Sequence, residues 1–89
     1  MVDNIRKLEV CFFCTKKGTE PVREWLRKLT GGDKKKIGED IKTVQLSWPL
    51  GMPLVKSLGN GLWEIRSNLL NGRISRVLFF MNKNRIVLV

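Results

Sequence analysis

The sequence predicts an α+β domain in the order β-α-α-β-β-β, with a helical hairpin packed on one face of a small, mainly antiparallel sheet. Three observations lead there. Two segments before residue 49 carry apolar side chains at helical spacing. A short apolar run rich in strand formers precedes them. Everything after Leu54 falls into short strands separated by Asn/Gly turns. At 89 residues the chain makes a single domain, residues 1–89, with a modest core.

The elements follow in order. Residues 1–7 are polar and are expected to fray. Leu8 to Cys14, LEVCFFC, has the length and composition of a largely buried strand, closed by Lys16, Lys17 and Gly18. Thr19 or Glu20 then caps a helix whose first residue is Pro21, a position where the missing N–H costs nothing. Val22, Trp25, Leu26 and Leu29 form one apolar stripe on it. Thr30, Gly31 and Gly32 end it. Asp33 is a candidate cap for the second helix, along which Ile37, Ile41, Val44 and Trp48 recur before Pro49 stops it. The short link between the two helices predicts an antiparallel pair.

Residues 49–61 read as a Pro/Gly loop holding a short strand near Val55 to Leu58. Leu62 to Ser67, Arg73 to Met81 and Arg85 to Val89 are the remaining strands. Asn71-Gly72 and Asn82-Lys83-Asn84 supply the turns.

Charge is the strongest compositional signal. Seventeen Lys/Arg against eight Asp/Glu give a net charge of +9, spread along the chain and not gathered in a tail. A folded basic surface of this kind attracts phosphate backbones, acidic proteins or anionic membranes. No stretch approaches the roughly 18–20 apolar residues of a membrane span. The start, MVDNIRKLEV, carries no apolar signal region, so a cytoplasmic protein without a membrane role is expected.

The chain has neither histidine nor tyrosine. The side chain best suited to proton transfer near neutrality is therefore missing. Chemistry would fall to Lys, Arg, Asp, Glu, Cys, Ser or Thr. Cys11 and Cys14 form a C-x-x-C, but zinc needs two more ligands and the chain has no further Cys or His. Both thiols are read as buried core residues, and no metal or cofactor is expected. Gly59 and Gly61 lack the third glycine and the following helix of a phosphate-binding loop. Trp25, Trp48 and Trp63 sit at core-like positions.

Candidate function therefore rests on basic side chains set into the strands: Lys56, Arg66, Arg73 and Arg76. Alternation puts Trp63 and Ile65 on the covered face, and Glu64 and Arg66 on the other, close enough to pair. In the next strand both faces are mixed, so parity does not decide whether Arg73 or Arg76 joins Arg66. Two uses compete, a solvated sheet face with surface ion pairs and a cationic groove for a phosphate backbone. Arginine suits the second because its planar fork binds phosphate through two bonds. Lys34, Lys35 and Lys36 open the second helix. They are either a solvated basic face or phosphate contacts.

The motifs K-S-L-G-N-G-L-W-E-I-R, G-R-I-S-R-V-L-F-F and N-R-I-V-L, together with the preceding strand and helices, resemble the RelE/ParE superfamily of toxins, and within it the HigB-like, phage-derived branch. The resemblance implies the toxin of a type II toxin–antitoxin pair. It implies an endoribonuclease that cuts mRNA on the ribosome without a metal, with the RNA 2′-hydroxyl as nucleophile. Carried onto this sequence, it makes Lys56, Arg66 and Arg76 the catalytic set, with Lys56 binding backbone or assisting proton transfer. Arg73 becomes an RNA contact, with Lys34 and Lys35 as further basic candidates. The implied partners are mRNA on the ribosome and a helix-turn-helix antitoxin. Relatives continue past the last strand with a segment like L-H-G-F-x-K-K, which this sequence does not contain. Two other uses stay open, a ParE-like toxin that binds a topoisomerase and a non-catalytic basic domain that pairs with an acidic partner or nucleic acid. An apolar Arg85–Val89 strand at a sheet edge would favour a homodimer.

Overall fold

The computed structural model describes residues 8–89. The expectation of a frayed start over residues 1–7 lies outside them. Two helices pack against one face of a five-stranded mixed sheet with strand order β1-β5-β4-β3-β2. The strands are β1 (Glu9–Phe12), β2 (Val55–Gly59), β3 (Leu62–Asn68), β4 (Ile74–Asn82) and β5 (Arg85–Leu88). The helices are α1 (Pro21–Arg27) and α2 (Gly31–Ser47). A turn of 3-10 helix, Leu70–Gly72, joins β3 to β4.

β2 to β5 form an antiparallel meander, and β1 adds to β5 in parallel. The last strand is thus interior and not at an edge, which corrects the expectation behind a homodimer through Arg85–Val89. The helical crossover after β1 is what permits parallel pairing. β1 is also shorter and less covered than the run Leu8–Cys14 suggests. As an outer strand it leaves Cys11 half-buried and Cys14 exposed, so the thiols are not core residues.

Pro49 ends α2 as expected, but its start differs from the sequence expectation. Thr30, not Asp33, is the N-cap: its backbone is extended, and its hydroxyl accepts the Asp33 N–H at 3.4 Å. Gly31 and Gly32 therefore begin α2, where backbone N–H groups are free in any helix. Asp33 moves into the first turn and is released for a different bond.

The core lies between α2 and the sheet. Ile37, Ile41 and Val44 from α2 meet Val55, Ile65, Val77, Phe79, Ile86 and Leu88, with Val22 from α1. Phe79 is fully buried and stacks on Trp63, while Trp48 meets both rings edge-on at 5.2 and 5.4 Å. Trp25 departs from its expected core position. It is 40% exposed and lines an open groove with Val22, Arg76, Val77 and Val89. In the seven-residue α1, Val22 is the residue that is buried.

Candidate functional site

The second face of the sheet carries no helix, and the strand register brings the basic side chains of three strands together there. Lys56 on β2 pairs with Glu64 on β3, and Glu64 with Leu78 on β4. One step along, Arg66 pairs with Arg76. Burial along β4 alternates cleanly: Ser75, Val77 and Phe79 lie under the helices, while Arg76, Leu78 and Phe80 face the bare side. Arg76 therefore joins Arg66, a choice that parity in the sequence had left open.

The Arg66–Arg76 pairing is of the close kind. The Arg66 N–H donates to Leu54 at 2.8 Å, so its backbone bonds toward β2. The Val89 N–H donates to Leu78 at 2.9 Å, so β4 at Leu78, and by alternation at Arg76, turns its backbone toward the β5 side. Neither residue bonds to the other. At such non-hydrogen-bonded positions the Cα atoms stand about 4.5 Å apart, and the side chains are neighbours. Two like charges placed this way repel.

Glu64 sits against both arginines. Its Oε1 lies 3.8 Å from the Nε of Arg66 and 3.8 Å from the Nε of Arg76. Its side chain is 11% exposed, against 28% for Arg66 and 54% for Arg76. The guanidiniums approach the carboxylate by their Nε edges. Among the described residues, the Nη atoms of both donate no hydrogen bond to a protein acceptor. Both forks thus keep their donors free of protein acceptors, with Arg76 exposed and Arg66 partly so, beside exposed Lys56, three cations to one carboxylate. Next to them runs a half-buried apolar strip of Leu62, Phe80 and Val87 in register, with Leu78 in the adjoining row.

Arg73, Lys34 and Lys35 lie elsewhere. Arg73 precedes β4 and reaches the helical layer, donating from Nη1 and Nη2 to the two Asp33 oxygens at 2.8 and 3.0 Å, and from Nε to Leu70 O at 3.1 Å. This fork-to-fork pair holds the Asp33 carboxyl below its ordinary value of 3.8, chiefly through the Arg73 hydrogen bonds and against the effect of burial. Arg73 is correspondingly raised, first by the same hydrogen bonds. A carboxylate in the first turn also faces the positive end of the α2 dipole. Lys34 and Lys35 are exposed on α2. Lys34 Nζ donates to Arg27 O at 3.3 Å and so caps the end of α1. The sequence set thus divides, with Lys56, Arg66 and Arg76 on the bare sheet and Arg73, Lys34 and Lys35 on the helical side.

Glu64 was absent from that set. Alternation within W-E-I-R placed it beside Arg66, but only the β3–β4 register makes it common to two arginines. Among the described residues, no group of three or more Cys, Asp or Glu could hold a metal, and no helix is long and apolar enough to cross a membrane.

Comparison with known proteins adds one finding. The family described as "Phage derived protein Gp49-like (DUF891)" matches residues 24–89, which include α2, the whole meander and every basic residue of the bare face named above. No curated protein and no solved structure matches the chain. With about three quarters of its length in the match and a fold compatible with the RelE-like arrangement, the chain belongs to the Gp49-like, phage-derived family.

Proposed function

We propose that this protein is the toxin of a type II toxin–antitoxin pair and acts as a ribosome-dependent, metal-independent mRNA endonuclease of the HigB-like kind. The observation that carries the proposal is the Arg66–Arg76 pair, with its Nη forks open on the bare sheet beside Lys56. A repulsive pair set at a close position has its best use in holding a shared anion. A backbone phosphate fits both forks.

In the proposed reaction the RNA 2′-oxygen attacks the adjacent phosphorus. The 2′-O–P bond forms and the P–O5′ bond breaks, leaving a 2′,3′-cyclic phosphate and a free 5′-hydroxyl end. Negative charge gathers on the non-bridging oxygens, where Arg66 and Arg76 meet it. Removing one such donor typically costs on the order of 10²–10³ in rate. The 2′-hydroxyl proton leaves to water. Protonated Lys56 supplies a proton to the departing 5′-oxygen and recovers one from water. Substrate charge and the protein's +9 attract each other, so association weakens with salt. The proposed inhibitory partner is a helix-turn-helix antitoxin with an acidic segment that covers this face.

The test is primer extension on cellular mRNA after brief induction, beside an Arg66→Ala control. Cuts at ribosome-occupied codons that vanish in the control support the proposal. Intact mRNA from a folded, expressed protein rejects it, and a replication block with intact mRNA would point to a topoisomerase-binding toxin instead.

A further inference from the structure

We propose that Glu64 is a positioning residue: it holds Arg66 and Arg76 by their Nε edges so that their Nη forks face outward as one two-guanidinium clamp for an RNA phosphate. This rests on the nucleic-acid function proposed above and adds to it a residue that touches no substrate.

The geometry carries the argument. Glu64 is the acidic residue in the middle of the basic patch, in register with Lys56 on one side and one row from the Arg66–Arg76 pair. Its side chain is 11% exposed, although it stands on the face no helix covers. Its neighbours there, Lys56, Leu78, Arg66 and Arg76, supply the cover. A carboxylate taken out of water must be paired, and its ion pairs among the described residues are those with the two arginines, 3.8 Å to each Nε. One oxygen, Oε1, serves both. The shared contact counters the mutual repulsion of two cations at a close cross-strand position. It also fixes which edge of each guanidinium turns inward. Without it the two side chains would swing apart into solvent, and the forks would no longer converge on one phosphate.

Two accounts of Glu64 predict opposite signs. If it were only one negative charge in a basic patch, removing it would tighten binding of any polyanion. If it positions the arginines, removing it weakens binding although the net charge becomes more positive.

The experiment measures binding of a labelled single-stranded RNA oligonucleotide to the full chain by fluorescence anisotropy across a range of salt. The proteins are wild type, Glu64→Ala, Glu64→Gln, an Arg66→Ala/Arg76→Ala double variant and the triple variant that adds Glu64→Ala to it. Circular dichroism checks the fold of each. Positioning predicts binding about tenfold weaker for Glu64→Ala, the scale of one lost charge-assisted hydrogen bond, with a shallower salt dependence. Glu64→Gln loses the charge of the 3.8 Å ion pairs but keeps the side chain's length and polar end beside the arginines, and should weaken binding by a smaller factor. With both arginines removed, Glu64→Ala should cause no further weakening, because it acts through them. Equal or tighter binding by Glu64→Ala or Glu64→Gln overturns the inference and leaves the proposed function standing. Should the alanine variant fail to fold, the glutamine variant alone decides by the same sign. A wild-type chain that binds no RNA overturns the inference, while the primer-extension test on ribosome-occupied mRNA decides the proposed function separately.

Discussion

Arg66 and Arg76 face each other directly across β3 and β4, and the backbone of each hydrogen-bonds away from the other. Two cations held at the closest kind of cross-strand position are a local cost, since like charges opposite one another destabilise a sheet. Glu64 offsets that cost by standing 3.8 Å from both. Stability and the proposed function therefore pull these residues in different directions.

Replacing one arginine, as in Arg66→Gln or Arg76→Gln, relieves the repulsion and leaves Glu64 a partner. Stability should stay within about 0.5 kcal/mol of wild type or rise slightly. The double replacement strands a buried carboxylate and should cost about 1–3 kcal/mol. Urea denaturation of the three variants checks this non-additivity. A large loss in either single variant would contradict it.

In the proposed reaction, Lys56→Arg would separate charge from proton transfer. The guanidinium keeps the attraction for phosphate but does not release a proton near neutrality. RNA binding should stay within about threefold of wild type, while cleavage falls by about 10²–10⁴, the usual contribution of general acid catalysis. Single-turnover cleavage on programmed ribosomes, beside anisotropy, measures the two separately.

The Asp33–Arg73 pair makes stability depend on acid pH. Asp33 is held below its ordinary value of 3.8 in the folded chain, so the unfolded chain binds its proton more readily. Its contribution is fully present above the unfolded value and is lost as pH falls through the lower folded value. Arg73 is raised and stays charged throughout that window. Asp33→Asn should flatten the acid limb of a stability-versus-pH curve and leave its shape near neutrality unchanged. Chemical denaturation at a series of pH values shows whether it does.

At the start of α2, Thr30→Ala removes the hydroxyl that accepts the Asp33 N–H. The expected loss is about 1 kcal/mol. Thr30→Ser restores the acceptor and should recover most of it, as read from thermal melts.

The tryptophans should respond unequally. Phe79→Ala opens a void between Trp48 and Trp63 and should cost about 3–5 kcal/mol. Trp25→Ala removes a ring already 40% exposed and should cost less, about 1 kcal/mol or below. Acrylamide should quench the Trp25 contribution first, as fluorescence of a Trp25→Phe variant would show.

The fold class and the succession of elements were legible in the sequence because they depend on local periodicity. Ile37, Ile41 and Val44 recur at helical spacing and all three reach the core. Ile65 alternates with Glu64 and Arg66, and the two sets part to opposite faces of β3. Pro21, Pro49 and Asn71-Gly72 mark element ends through backbone constraints that act within a few residues. Thr30 and Asp33 carry the same kind of signal, but either could serve as cap. The bond from Arg73, forty positions along the chain, uses Asp33 and leaves the cap to Thr30.

Strand order and register are the part that only the tertiary structure decided. No local pattern states that β1 lies parallel to β5, and this pairing is what makes Arg85–Leu88 interior. Nor does any local pattern put Arg76 opposite Arg66 and send Arg73 to the helices. A slip of one residue between β3 and β4 would reverse that assignment. The core pairs Ile65↔Val77 and Trp63↔Phe79 hold the register because a slip would turn Val77 and Phe79 out to water. The sequence by itself thus determined which side chains could bind an anion. Packing on the far side of the sheet decided which of them stand together.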